Sequence, residues 1–132
     1  GLERLHVPHR WIYLRDYRKI QELYHALDLY LVTSRDEGGP KAVLESMASG
    51  VPLVTTRVGQ ARDLVQDGTN GWIVDVEDPD GLAHWAAHVL THRDSPEVAR
   101  VLTAARQTAE AHTYEQQLPL WRQFMRGFVD HT

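Results

Sequence analysis

The stretch SRDEGGPKAVLESMASGVPLVTT, residues 34–56, continued by GQARDLVQDGTNGWIV, residues 59–74, decides the fold. Gly38 and Gly39 form a loop. Pro40 suits the first turn of a helix, where its missing N–H is one that would be unpaired anyway. Val43, Leu44, Met47 and Ala48 then recur at helical spacing as an apolar face. Gly50 ends that helix and Pro52 opens the next strand, Leu53–Thr56. Glu37 and Glu45 stand eight residues apart, the first in the loop at the helix mouth, the second about two turns deeper near one face. Such a pair can hold a polyhydroxylated anionic ligand lying along the helix start, where free N–H groups and a partial positive charge favour a phosphate.

Outward from this stretch, strand and helix patterns alternate. Trp11–Leu14 reads as a short apolar strand. Asp16–Leu27 has helical spacing, with Ile20, Leu23, Tyr24 and Leu27 on one face. The apolar run from Asp28 to Thr33 has the length and continuity of a buried parallel strand. Gln60–Val65 predicts a short helix, Asp67–Gly71 a turn and Trp72–Val74 a strand. Helices fill the rest. Asp78-Pro79 and Ser95-Pro96 each predict an N-cap followed by proline at the first helical position. Thr113 with Gln116 fits a capping box, and Pro119 predicts a kink or a restart. The predicted class is α/β: a Rossmann-like parallel sheet with flanking helices and a helical C-terminal tail. That tail carries Leu118, Leu120, Trp121, Phe124, Met125, Phe128 and Val129, more apolar surface than a terminal helix needs.

The 132 residues provide one domain with a moderate core. A net charge of −4 argues against general nucleic-acid binding. Arg4, Arg10, Arg15, Arg18 and Lys19 lean to the start of the chain. They read as a solvated surface, or as a positive rim near a nucleotide or an anionic membrane. The absence of cysteine fits a reducing, cytoplasmic setting, with peripheral membrane association as the sharper reading. No apolar run approaches the roughly 18 residues of a membrane span.

The ordered set of features resembles the donor-binding half of family 4 glycosyltransferases, which have the GT-B fold. The family pattern is a glutamate, seven residues, a second glutamate, a small-residue helix end, G-V-P, a hydrophobic strand, G-x-x-[DE]-L-V and D-G-x-N-G. It is matched by Glu37 and Glu45, Ser46–Gly50, Val51-Pro52, Leu53–Thr55, Gly59–Val65 and Asp67–Gly71. Weaker resemblance runs from about Trp11 to about Val129. This chain has Gly38-Gly39-Pro40 where the family often has Gly-Phe-Gly.

The resemblance implies a retaining, hexosyltransferase-like enzyme that moves a sugar from a nucleotide-sugar donor to an acceptor, which is a sugar, a lipid-linked sugar or a polysaccharide. It implies that Glu37 is the catalytic carboxylate near the reacting carbon and that Glu45 accepts hydrogen bonds from the ribose diol. Gly38, Gly39, Lys41 and Ala42 would complete the donor site, with no metal and no further cofactor. The small residues Ala42 and Ser49 would line the Glu45 face of the helix. In the family the last helix crosses back to an N-terminal domain. That domain, the first strands of this one and their phosphate-binding Arg and Lys are expected to lie outside residues 1–132, so the chain reads as one partial domain, inactive by itself. A binding-only module and a GT-B sugar-nucleotide epimerase are the alternatives.

Simpler readings exist for each residue. Glu45 at i+4 from Lys41 suits a helix ion pair of about 0.2–0.5 kcal/mol, and Glu37 suits a solvated loop acid. Arg15 reads as a surface arginine. His84, His88 and His92 recur every four residues, a spacing that can chelate a metal. The apolar face formed by Leu82, Trp85, Ala86, Val89 and Leu90 instead directs His84 and His88 largely toward solvent. Asp75, Glu77, Asp78 and Asp80 read as helix N-terminal charge and capping.

Overall fold

A computed structural model describes residues 1–39 and 41–129, with the Val129 side chain excluded. The expectations for Pro40 and for the Val129 side chain therefore fall outside the described residues. Leu53–Thr56 forms the central strand, β2, and all four of its residues are buried. Strand β1, Tyr30–Val32, pairs with it in parallel, Tyr30 opposite Leu53 and Val32 opposite Thr55. Strand β3, Trp72–Val74, pairs in parallel on the other side, Val54 opposite Trp72. The order β1-β2-β3 follows the chain.

Parallel neighbours require crossovers, and helices supply them. Helix α1 (Ile20–His25) precedes β1, α2 (Lys41–Ser49) joins β1 to β2, and α3 (Ala61–Leu64) lies between β2 and β3. Then come α4 (Pro79–Thr91), α5 (Pro96–Ala111) and α6 (Tyr114–Val129). Alternation along the strands divides the core. Leu53 and Ile73 join Val43, Met47, Ala61 and Leu64 in one cluster, while Val54 and Trp72 join Val89, Val98 and Val101 in another. Helix α5 serves both, giving Val98 and Val101 to one and Ala105 and Ala109 to the other.

The local signals act as the sequence predicts. Asp78 accepts from the Gly81 N–H at 2.8 Å and Ser95 from the Val98 N–H at 3.2 Å, each followed by proline. Gly50, at φ 71°, turns the chain out of α2, and the Val51 N–H donates back to the Ser46 carbonyl at 3.0 Å. In the Asp67–Gly71 turn, Gly68 takes φ 66° and the Ile73 N–H donates to Asp67 Oδ1 at 3.1 Å.

Other expectations are corrected. Trp11–Leu14 is not a strand: Trp11 is 85% exposed and Tyr13 71%. A strand needs a neighbour, and this segment pairs with neither edge of the sheet. The helix expected from Asp16 begins as a 3-10 turn at Tyr17–Lys19 before α1. Ala48 and Leu90 are exposed rather than packed. Helix α6 runs on through Pro119 without restarting. Its Leu118, Leu120, Trp121, Phe124, Met125 and Phe128 are about half exposed or more, as the surplus of apolar residues in the tail predicts. No helix among the described residues is long and apolar enough to cross a membrane.

Candidate functional site

In a parallel sheet the loops leaving the C-terminal strand ends form the crevice where ligands bind. Here the loop from Thr33 to Gly39 leaves β1 and leads to α2. It is fastened from below. Thr56, at the end of β2, donates from its hydroxyl to the Ser34 carbonyl at 2.6 Å. Ser34 in turn donates from its hydroxyl to Glu37 Oε1 at 3.0 Å. Gly59, on the loop after β2, supports the same segment: a Cβ placed on it would lie 2.4 Å from the Glu37 carbonyl oxygen and 2.6 Å from that of Gly38. Glu37 is thus exposed but tethered, not a free loop acid.

Glu37, Gly39, Lys41 and Ala42 line one open groove of about 480 Å³ together with Tyr30–Ser34. The groove lies along the start of α2, so it combines a carboxylate, a lysine and the free N–H groups of a helix mouth. Gly38 and Glu45 do not line it.

Glu45 sits farther along α2, half-buried, and turns toward the preceding elements. The Tyr24 hydroxyl donates to its Oε2 at 3.1 Å, and the Tyr17 hydroxyl donates to its Oε1. The ion pair with Lys41 does not occur among the described residues; the carboxylate is taken by two tyrosines instead. The small residues Ala42 and Ser49 leave room on this face, and α1 fills part of it with Tyr24. Desolvation raises the Glu45 carboxyl above its ordinary pKa. Burial, with Tyr30 alongside, raises the Tyr24 phenol, which remains a proton donor across the working range of pH.

The residues that sequence reasoning missed here are Tyr17, Tyr24, Ser34, Thr56 and Gly59 in its supporting role. Of these only Gly59 lay inside a recognised motif, and its contact is with a loop some twenty residues earlier.

The remaining candidates separate from this groove. Asp78 caps α4 as expected, whereas Asp75 and Glu77 pair with Arg57 and Arg35, each at 3.1 Å. These pairs link the loops that follow the three strands. Arg15 is exposed. His84 is exposed, but His88 is half-buried, edge-on to Trp85 and 3.4 Å from Glu97, while its ring stacks on His92 at 4.6 Å. A groove of about 450 Å³ lies between α6 and the α2–α3 side, lined by Leu44, Leu64, His112, Leu118 and Trp121. It is more apolar, and neither motif glutamate borders it.

Asn70, from the D-G-x-N-G motif, faces inward and is 5% exposed. Its Nδ2 donates to the Leu64 carbonyl and to Thr108 Oγ1, both at 2.9 Å, and its Oδ1 accepts from the Gln66 N–H at 2.8 Å. This part of the motif therefore joins α3, the turn and α5.

Comparison with known proteins places these features in a family. The pattern of the family described as glycosyl transferases group 1 matches residues 2–92. N-acetyl-alpha-D-glucosaminyl L-malate synthase of Bacillus anthracis is 35% identical over 103 residues, covering 75% of this chain and 27% of that protein. The chain thus spans about a quarter of that curated relative. Among solved structures, the C-terminal domain of a glycosyl transferase group 1 family protein (LpcC) of Francisella tularensis superposes with a TM-score of 0.72 at 20% identity, over 84% of this chain and 57% of that one. HepE of Anabaena in complex with UDP-glucose gives 0.75 at 23%, over 98% of this chain and 35% of that one. The likeness to both is one of fold. With the family pattern matched over most of its length, the chain belongs to the glycosyl transferases group 1 and has the fold of the C-terminal portion of a GT-B glycosyltransferase.

Proposed function

We propose that the groove at the mouth of α2 is the donor site of a retaining, family 4 glycosyltransferase. The observation that carries this reading is the tethered loop. Glu37 is fixed by Ser34 and backed by Gly59, beside Gly39, Lys41 and Ala42 at a helix start. The UDP-glucose bound to HepE, whose fold this chain shares, supports a nucleotide sugar as the ligand class. The diphosphate lies against the helix mouth and Lys41. Glu37 faces the sugar and stabilises positive charge on the ring as the bond from the anomeric carbon to the diphosphate oxygen breaks. The acceptor hydroxyl oxygen forms the new bond on the same face, and its proton passes to the departing phosphate oxygen. Beyond the groove, farther along α2, Glu45 accepts from the ribose diol. Residues 1–132 supply one wall of the cleft and an N-terminal domain the other, so this segment alone transfers no sugar.

The test is titration of the full-length protein with UDP, GDP and ADP by calorimetry, followed by a transfer assay with the matching nucleotide sugars. Tight binding of one nucleotide, with hydrolysis or transfer of its sugar lost in Glu37→Gln, supports the reading. Absence of binding by all three would overturn it. Binding with no sugar transferred to any sugar or lipid-linked acceptor would favour a binding-only module.

A further inference from the structure

Glu45 is held from two sides by tyrosines of opposite character. Tyr24 is 3% exposed. Its ring packs against Tyr30 at 5.4 Å, and its hydroxyl reaches both Glu45 Oε2, at 3.1 Å, and the Ala42 carbonyl, at 3.4 Å. Such a ring is fixed by packing, so the oxygen it holds is fixed as well. Tyr17 is 63% exposed and sits on a single 3-10 turn. Its hydroxyl approaches the other carboxylate oxygen from the solvent side. A ligand hydroxyl that takes that position on Oε1 displaces Tyr17.

We propose that Tyr24 is a positioning residue that fixes the Glu45 carboxylate for the ribose diol of the donor, while Tyr17 holds the place of a ligand hydroxyl until the donor arrives. This rests on the donor-site reading above. The physical reason is preorganisation. A glutamate loses considerable rotamer freedom when it is immobilised, and a carboxylate already fixed by a buried donor does not incur that loss again on binding. Tyr24 lies 21 positions from Glu45 in the chain and contributes no group to the groove at the mouth of α2. Its effect on the ligand passes through Glu45.

A double-mutant cycle separates this role from mere packing. Full-length protein carrying Tyr24→Phe, Tyr17→Phe, Glu45→Ala, or Tyr24→Phe with Glu45→Ala is titrated with UDP, GDP and ADP by calorimetry. Tyr24→Phe retains the ring, and it is expected to weaken the tightest-binding nucleotide about tenfold, the scale of the rotamer freedom that one glutamate loses when it is immobilised. In the Glu45→Ala background the same change is expected to have no further effect. Tyr17→Phe is expected to bind as tightly as the unaltered protein or more tightly, since it removes a competitor. Equal loss from Tyr24→Phe with and without Glu45 would overturn the inference while leaving the donor site intact. Unchanged binding in Tyr24→Phe, or a loss in Tyr17→Phe as large as that expected of Tyr24→Phe, would also overturn it. Unchanged binding in Glu45→Ala would instead remove the donor-site role of Glu45 itself, and the inference with it.

Discussion

Gly59 lies directly against the carbonyl of Glu37: a Cβ at position 59 would stand 2.4 Å from that oxygen, and the backbone there has φ 45°. Two separate constraints thus converge on one residue. The left-handed conformation disfavours any side chain, and the contact is with backbone, which cannot rotate aside.

Gly59→Ala should therefore act on both the fold and the site. The strained conformation alone is expected to cost about 1–3 kcal/mol, and relief of the clash must displace the Glu37 loop. Chemical denaturation measures the first effect. The second should appear as a lower kcat in the full-length protein. A variant of unchanged stability and rate would show that the loop yields freely.

The two glutamates should separate in kinetics. On the proposed donor site, Glu45→Ala removes a contact shared by donor and nucleotide product, and both are expected to weaken about tenfold or more, from the roughly 1.5–3 kcal/mol of a charge-assisted bond. On the same proposal, Glu37→Ala removes a contact that strengthens as charge develops on the sugar. It should lower kcat while leaving binding of the free nucleoside diphosphate nearly unchanged. If Glu37→Ala weakened bare nucleotide as much as Glu45→Ala did, with no extra loss of rate, the assigned roles would be wrong.

Asn70→Ala should be a stability variant only. It leaves the Leu64 carbonyl and the Gln66 N–H without their buried partner and removes the link to Thr108. The expected loss is about 2–3 kcal/mol, since unpaired buried polar groups carry most of their desolvation cost. Nucleotide affinity measured well below the melting temperature should not change. A loss of affinity without loss of stability would give Asn70 a role at the site.

The raised Glu45 carboxyl gives a pH signature in the unliganded protein. The native state keeps this proton to higher pH than the unfolded chain does. Stability from this group is therefore greatest below the ordinary carboxylate range and falls as pH rises through the window between the ordinary and the raised value. Glu45→Gln cannot titrate and should remove that slope. The difference in Tm, variant minus unaltered protein, is expected to increase as pH rises from about 4 through that window, as measured by scanning calorimetry. A difference that decreased instead would show that the tyrosine hydroxyls favour the anion more than burial disfavours it.

What depends on neighbours along the chain was legible in the sequence. The caps at Asp78 and Ser95 and the exit at Gly50 rest on interactions within a few residues, so residue type and spacing suffice to read them. The motif from Glu37 to Gly71 likewise marked a loop and a helix that line the candidate groove. Which groups meet across the fold followed instead from the packing of the folded elements. It drew Glu45 to Tyr17 and Tyr24 rather than to Lys41, and set Gly59 against Glu37. It gave the motif residue Asn70 a structural partner in Thr108, 38 positions away. It also left Trp11, Ile12 and Tyr13 exposed, because an apolar pattern becomes a strand only where the fold lays it against another strand, and this segment is laid against neither edge of the sheet. Contacts of this kind are set by how the parallel sheet brings successive loops to one edge, a relation carried by no single stretch of residues.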